Sequence, residues 1–367
     1  MLIDSLYPGG AERVLVGLAT NLPPERYEVT VCSTRPHTGV LRDELHAAGV
    51  RYVPLERKRM IDLGAFRRLL KLLREERFDV LHSHKFGSNV WGSIFGRLAR
   101  TPVVVVHEHS WAYQGQPLRR FLDGKVIGRL ADRMIAVSTR DQERMTSVEG
   151  VPPRKTVYIP NAFMPPAGDP PVGDLRAELG LGPDTPVVGT LAVLRKEKAL
   201  DVLIEAFAIA SKRVPDAHLV IGGYGPMQEP WEARARELGV SDRVHWLGMR
   251  RDGPVVMRGL DVAVMSSERE GMPLFAFEAM ASRTPFVATD VGGLRDIFEN
   301  GTSALLVEPG DAAALGGAIE RLLLDPELRS SMAGVAHERL DEFSIGRAVE
   351  RVTGLYESLL AKPRSDR

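Results

Sequence analysis

The run TPVVVVHEH, residues 101–109, constrains this fold more than any other stretch of the chain. Side chains on a strand alternate between faces, so four consecutive valines cannot serve a sheet with one wet face. Such a strand is buried on both faces, the condition of a parallel sheet covered by helices. The pattern recurs in YEVTVCS (27–33), FDVLHSH (78–84) and DRMIAVS (132–138). Helical stretches such as 11–21 and 63–76 lie between these runs. This alternation predicts a doubly wound α/β domain.

The stretch YIPNAFMPPAGDPPVGD, 158–174, breaks the rhythm, and its prolines and glycines read as a linker. A second set of buried strands follows: TPVVGTLAVL, AHLVIGG, RVHWLG, DVAVMSS, TPFVATD and ALLVEPG. Helices at 199–213, 274–282 and 311–324 lie among them, and 344–361 reads as a last amphipathic helix. A chain of 367 residues also exceeds one ordinary core. The expectation is two doubly wound Rossmann-like domains facing across a cleft. Their expected ranges are 1–160 and 161–343, with a helix and tail at 344–367 packing back toward the first. Only MLID precedes the loop SLYPGGAE, so either the first strand is truncated or the native start lies upstream, the second being the preferred expectation.

Composition narrows the classes. With 44% hydrophobic and 26% charged residues, the chain is not intrinsically disordered. No run approaches the roughly 18 uncharged apolar residues of a membrane-spanning helix, and the start lacks a signal-peptide pattern. The single cysteine, Cys32, excludes an intrachain disulfide and a thiolate metal cluster, and its strand-like neighbours predict a buried, inert thiol. A cytoplasmic protein is the simplest reading. Residues 1–160 hold 25 Lys+Arg against 17 Asp+Glu, whereas 161–367 hold 23 against 31. A basic first half suits an anionic membrane or acceptor.

In such sheets ligands bind beyond the carboxyl ends of the strands. His82, Ser83, His84, His107, Glu108, His109 and Ser138 are therefore placed for function. Gly9 and Gly10 precede a helix whose free N–H groups suit an anion, although a plain tight turn reads equally well. A strand expected to end near Leu194 leads into Arg195 and Lys198, cations suited to a diphosphate. Lys196 and Glu197 read equally as solvated surface. IGGYGPM, 221–227, lacks the dinucleotide-binding spacing and reads as a simple turn.

EREGMPLFAFEAM, 268–280, places Glu270 and Glu278 on either side of a seven-residue, almost wholly apolar insert. Gly271 and Pro273 mark a loop entering a helix. The amides of Gly271, Met272 and Leu274 face a phosphate in this reading, and Glu270 and Glu278 grip sugar hydroxyls. A salt-bridged Glu278 and a solvated Glu270 are the structural alternative.

The longer run SSEREGMPLFAFEAMASRTPFVATDVGG resembles the E-x7-E signature of retaining glycosyltransferases of family 4, which have the GT-B fold. PGGAERVLVGLA, IPNA, RKEKALDVLIEAF, VHWLG and NGTSALLVEPGD resemble further family stretches in the same order. The resemblance implies a nucleotide diphosphate sugar as donor, with no separate cofactor, and transfer of a hexosyl group to an acceptor hydroxyl. Glu270 would hold the sugar, Glu278 the ribose, Arg195 and Lys198 the diphosphate, and Gly10 would approach it from the first domain. Leu247 would sit near the base, and His109, or alternatively His107, would contact the sugar. The chain departs from the family at Val193, where an arginine is frequent, and at Ala199 and Ala162, where glycine is usual.

The resulting expectation is a retaining enzyme of cell-envelope glycan or glycolipid synthesis, cytoplasmic or peripheral at the inner membrane face. Its acceptor would be a glycan or lipid-linked, with no nucleic acid partner. No metal is called for, since no Asp-x-Asp run falls in an expected loop. The basic helix 63–77, preceded by RKR at 57–59, either rests on an anionic membrane or is an ordinary surface helix. A silent partner subunit and a sugar-nucleotide epimerase are the competing readings. The missing dinucleotide fingerprint disfavours a dehydrogenase.

Overall fold

The computed structural model describes residues 1–7, 9–36, 38–109, 116–165 and 173–362. The chain forms two units, Met1–Met164 with Phe343–Arg367, and Pro165–Glu342.

The first unit is built on β1 (Leu2–Ile3), β2 (Thr30–Ser33), β3 (Arg51–Pro54), β4 (Val80–His84), β5 (Val103–Glu108), β6 (Arg133–Ala136) and β7 (Thr156–Tyr158). All pairings are parallel, in the order β3-β2-β1-β4-β5-β6-β7. The four valines of β5 are fully buried, as their unbroken apolar run requires. The helix Ile345–Leu360 belongs to this unit and packs on the helix Gly10–Asn21. Two ties fix it: Tyr27 donates to Glu357 at 3.0 Å, and Tyr356 Oη lies 2.6 Å from His82 Nδ1.

The second unit repeats the topology with β8 (Val187–Leu191), β9 (His218–Gly222), β10 (Val244–Gly248), β11 (Val262–Met265), β12 (Phe286–Thr289) and β13 (Leu305–Val307). They lie parallel in the order β10-β9-β8-β11-β12-β13. The helices Leu200–Ala210 and Ala312–Leu324 pack together over one face, burying Leu203, Ile204, Phe207, Leu315 and Ile319. In both sheets the chain first winds one way and then the other. The loops after β1 and β4, and those after β8 and β11, therefore diverge and leave a crevice at the carboxyl ends.

Two sequence expectations change. β8 ends at Leu191, not near Leu194. Its partner turns away at Gly223, φ +134°, and the two segments leave the ladder as paired loops, with Leu194 N donating to Tyr224 O at 2.9 Å. Arg195 therefore lies off the strand: it is exposed, and its N–H turns back onto Val193 O at 2.7 Å. The proline-rich stretch also begins as packed chain. Ile159 and Ala162 are buried, and Phe163 N donates to Phe343 O at 2.7 Å. Residues 166–172 of that stretch lie outside the described residues.

Candidate active site

In the second unit the topological switch lies between β8 and β11, and the loops that follow them meet. Glu268 N donates to Glu197 O at 2.9 Å, and Ser266 Oγ to Lys198 O at 2.9 Å. Lys198 Nζ then lies 2.5 Å from Glu270 Oε1, with side-chain exposures of 24% and 14%. Ser267 Oγ donates to the same oxygen at 2.7 Å. Two residues from different loops thus form a mostly buried, charge-assisted pair, which the sequence had selected separately.

Glu270 is held from behind as well. Gly292, φ +56°, rests directly on the backbone of Glu270 and Gly271, where a Cβ would overlap both carbonyl oxygens. Gly293 N donates to Gly271 O at 2.6 Å, and Thr289 Oγ1 to Ser267 O at 2.6 Å. Gly271, Met272 and Pro273 are buried and lead into the helix Leu274–Ala281, capped by Pro273 without a side-chain acceptor. The amides of Leu274 and Phe275 open its first turn, where backbone N–H groups have no partner within the helix, while Ala276 N already donates to Pro273 O at 3.2 Å. Glu278 is the exposed residue of a helix otherwise buried or half-buried. Its face is therefore open to a ligand, while the apolar insert supplies the core.

Arg195 stands exposed at the start of the short helix Lys196–Lys198, free of ion pairs among the described residues. Ala199 closes that turn at φ 46° and ψ 47°, the left-handed region that glycine enters without steric cost. Leu247 lies half-buried at the end of β10, at the same end of the sheet but on its edge, with β9 between β10 and β8. The turn IGGYGPM does more than reverse the chain. Gly223 abuts the backbone of Ala192 and Gly225 that of Leu194, and Met227 N donates to Leu194 O at 3.1 Å. This turn buttresses the loop that carries Arg195 and Lys198. A glycine pair spaced to face another backbone was the only sequence signal for it.

In the first unit, Gly9 is the N-cap of the helix Gly10–Asn21, with no side-chain cap, and both glycines are exposed. Lys85, after β4, donates to Glu12 at 2.7 Å and ties the end of β4 to the first turn of that helix. His109 follows β5 and is buried; its Nε2 lies 2.9 Å from His84 Nδ1. Burial above all, with Lys85 adding repulsion, pushes its pKa down to about 3, while Asn161 opposes the shift. It is a neutral imidazole at physiological pH, able to hydrogen-bond but not to act as a cation.

His82, His84, His107 and His109 share one face of β4 and β5. The rings of His107 and His109 stack at 4.2 Å, and those of His82 and His84 lie 4.3 Å apart. Burial drives the first three well below the usual histidine range. Among the described residues, His82 Nε2, His84 Nε2 and both nitrogens of His107 have no hydrogen-bond partner. Each such buried atom costs about 1–3 kcal/mol.

Residues 8–163 match the family described as Glycosyltransferase Family 4, and residues 172–339 match Glycosyl transferases group 1. The chain is 30% identical over 381 aligned positions to a D-inositol 3-phosphate glycosyltransferase of Corynebacterium jeikeium, covering 95% of this chain and 86% of that one. It is 26% identical over 364 positions to the UDP-Gal:alpha-D-GlcNAc-diphosphoundecaprenol alpha-1,3-galactosyltransferase of Escherichia coli, covering 95% and 93%. Anabaena HepE, solved with UDP-glucose, superposes with a TM-score of 0.84 at 22% identity over 97% of this chain and 99% of that one. Sucrose-phosphate synthase of Thermosynechococcus elongatus gives 0.79 at 23% identity, covering 98% of each chain. At these identities the structures show a shared GT-B fold.

Proposed function

The chain belongs to the group 1, family 4 glycosyltransferases, and from that premise we propose that it is a retaining hexosyltransferase of cell-surface glycan or glycolipid synthesis. The donor in this reading is a nucleotide diphosphate sugar. The observation that carries it is the Lys198–Glu270 pair at the switch point of the second sheet, beside an uncapped helix N-terminus. As the bond from the sugar to the diphosphate breaks, negative charge grows on the leaving phosphate. Lys198, Arg195 and the first-turn amides at Leu274 supply fixed positive potential for it. Glu270, oriented by Ser267 and by Gly292 behind it, accepts hydrogen bonds from sugar hydroxyls and offsets positive charge on the sugar ring. Glu278 accepts from the ribose hydroxyls, and Leu247 offers an apolar contact to the base. In the first unit, the amides at Gly9 and Gly10 suit an anion, and neutral His109 suits a sugar hydroxyl.

A silent partner subunit would have no reason to keep this ion pair. Uridine nucleotides are the first donors to test, because the Escherichia coli relative is named for UDP-Gal and HepE was solved with UDP-glucose. A lipid-linked acceptor takes support from the diphosphoundecaprenol in the same relative's name. Met60, Ile61 and Leu63 add to it. They are 77%, 67% and 67% exposed just before and at the start of the helix Leu63–Glu76, beside exposed Lys58, Arg59 and Arg67. The helix itself buries Ala65, Phe66, Leu69 and Leu73, so the membrane contact we propose is the lead-in, not the whole helix. No helix among the described residues is long and apolar enough to cross a membrane. We place the protein in the cytoplasm, at the inner membrane face.

Thermal unfolding with a panel of UDP-, GDP- and ADP-sugars tests the donor reading. A ligand at about 100 times its Kd adds roughly 2.7 kcal/mol. One nucleotide sugar should stabilise the parent chain, and Glu270→Ala should abolish product formation from it. Stabilisation by none of the panel overturns the reading. Flotation with anionic vesicles tests the lead-in: binding lost in a Met60→Ser/Ile61→Ser variant is expected, and no binding of the parent at low salt refutes it.

A further inference from the structure

We propose that His82, His84 and His107 form a binding site for one zinc-type divalent transition-metal ion in the first unit. Strand register brings the three together. His82 and His84 lie two residues apart on β4 and so share a face, and His84 pairs directly with His107 on β5. One ring nitrogen from each lies within 4.8 Å of the other two. A tetrahedral ion with metal–nitrogen bonds of 2.0–2.1 Å needs these atoms about 3.3 Å apart. Ring rotations that move each nitrogen by on the order of 1 Å close the gap.

The hydrogen bonds around the rings favour an ion over mere packing. His82 presents Nδ1 to Tyr356 Oη at 2.6 Å, and His84 presents Nδ1 to His109 Nε2 at 2.9 Å. In both rings the opposite nitrogen, Nε2, is buried and unpartnered. One nitrogen held by an outer partner and the other left open is how a metal-binding histidine is ordinarily supported. His107 contributes a third open nitrogen, from a ring that makes no hydrogen bond among the described residues. The rings are 0–1% exposed. The three proposed ligands are all imidazoles, which suits zinc, cobalt or copper and not calcium or magnesium.

The ion would also set a tautomer. With His84 Nε2 on the metal, its proton resides on Nδ1 and is donated to His109 Nε2. The proton of His109 then sits on Nδ1. The site would thus orient a histidine singled out by sequence, independently of which sugar the protein transfers.

The test uses the untagged full chain, stripped with a chelator and titrated with Co2+ alone. One equivalent should bind, giving the intense visible bands of tetrahedral cobalt without a thiolate charge-transfer band, and Zn2+ should displace it. His107→Phe and His82→Gln should lose the bands. His218→Gln should keep them, since it disrupts only the His218–His245 pair of the second unit, 2.8 Å apart. Absence of saturable uptake by the parent overturns the proposal, as does loss of uptake in His218→Gln. If the first-unit variants fail to fold, X-ray absorption on the zinc-loaded parent decides: three imidazole ligands support the site, and fewer overturn it.

Discussion

Lys198→Ala removes the cation that faces Glu270 across 2.5 Å, where the side chains are only 24% and 14% exposed. A hydrogen bond to a charged group is worth about 1.5–3 kcal/mol net. If Lys198 turns this interaction toward the donor's diphosphate, the variant should bind the nucleoside diphosphate roughly 10- to 160-fold more weakly, at about 1.4 kcal/mol per decade. Lys198→Met should lose as much, because it keeps the apolar stem and removes only the charge. Glu270→Gln alone should lose less. The double variant should lose less than the sum, because the two residues share one contact. Titration calorimetry with UDP, GDP and ADP reads the affinity without an acceptor, and urea unfolding confirms that each variant is folded. A folded Lys198→Ala chain that binds its nucleotide within twofold of the parent would refute the assignment.

Gly223→Ala should cost at least about 2 kcal/mol in urea, since its φ of +134° is strained for alanine and the new Cβ would strike the backbone of Ala192. Gly87→Ala, in open space within a helix, should instead be neutral or stabilising by up to about 1 kcal/mol. In chelator, the buried histidines should make the chain acid-labile: their folded pKa values lie below the unfolded 6.5 or so, so stability is intact above that pH and falls as pH drops through it. Each fully buried imidazole should cost on the order of 1 kcal/mol between pH 7 and 5.5, and a urea midpoint that stays flat over that range contradicts the burial. The Cys32 thiol, pushed up to about 12 by burial, should resist iodoacetamide at pH 8 until the chain unfolds, and rapid native alkylation would contradict it.

Much of the architecture was legible because it is local. An unbroken β-branched run has to be buried on both faces, and β5 shows this with four fully buried valines. The proline before an apolar stretch marked the helix at Leu274 to within one residue at its far end. The weakest strands, β3 and β7, carry no such run and escaped notice: Arg51–Pro54 is exposed at both ends, and β7 has only three residues.

From the chain alone, then, came two parallel α/β sheets and the acids and cations at their carboxyl ends. Local side-chain pattern and turn chemistry suffice for that. Only the tertiary structure decided which of those residues meet. Lys198 and Glu270 are 72 residues apart and touch because β8 lies beside β11. The histidines stack because His84 registers against His107, and IGGYGPM became a buttress because its glycines let two loops approach. Strand order and register are set by long-range packing, and no short window of sequence contains it.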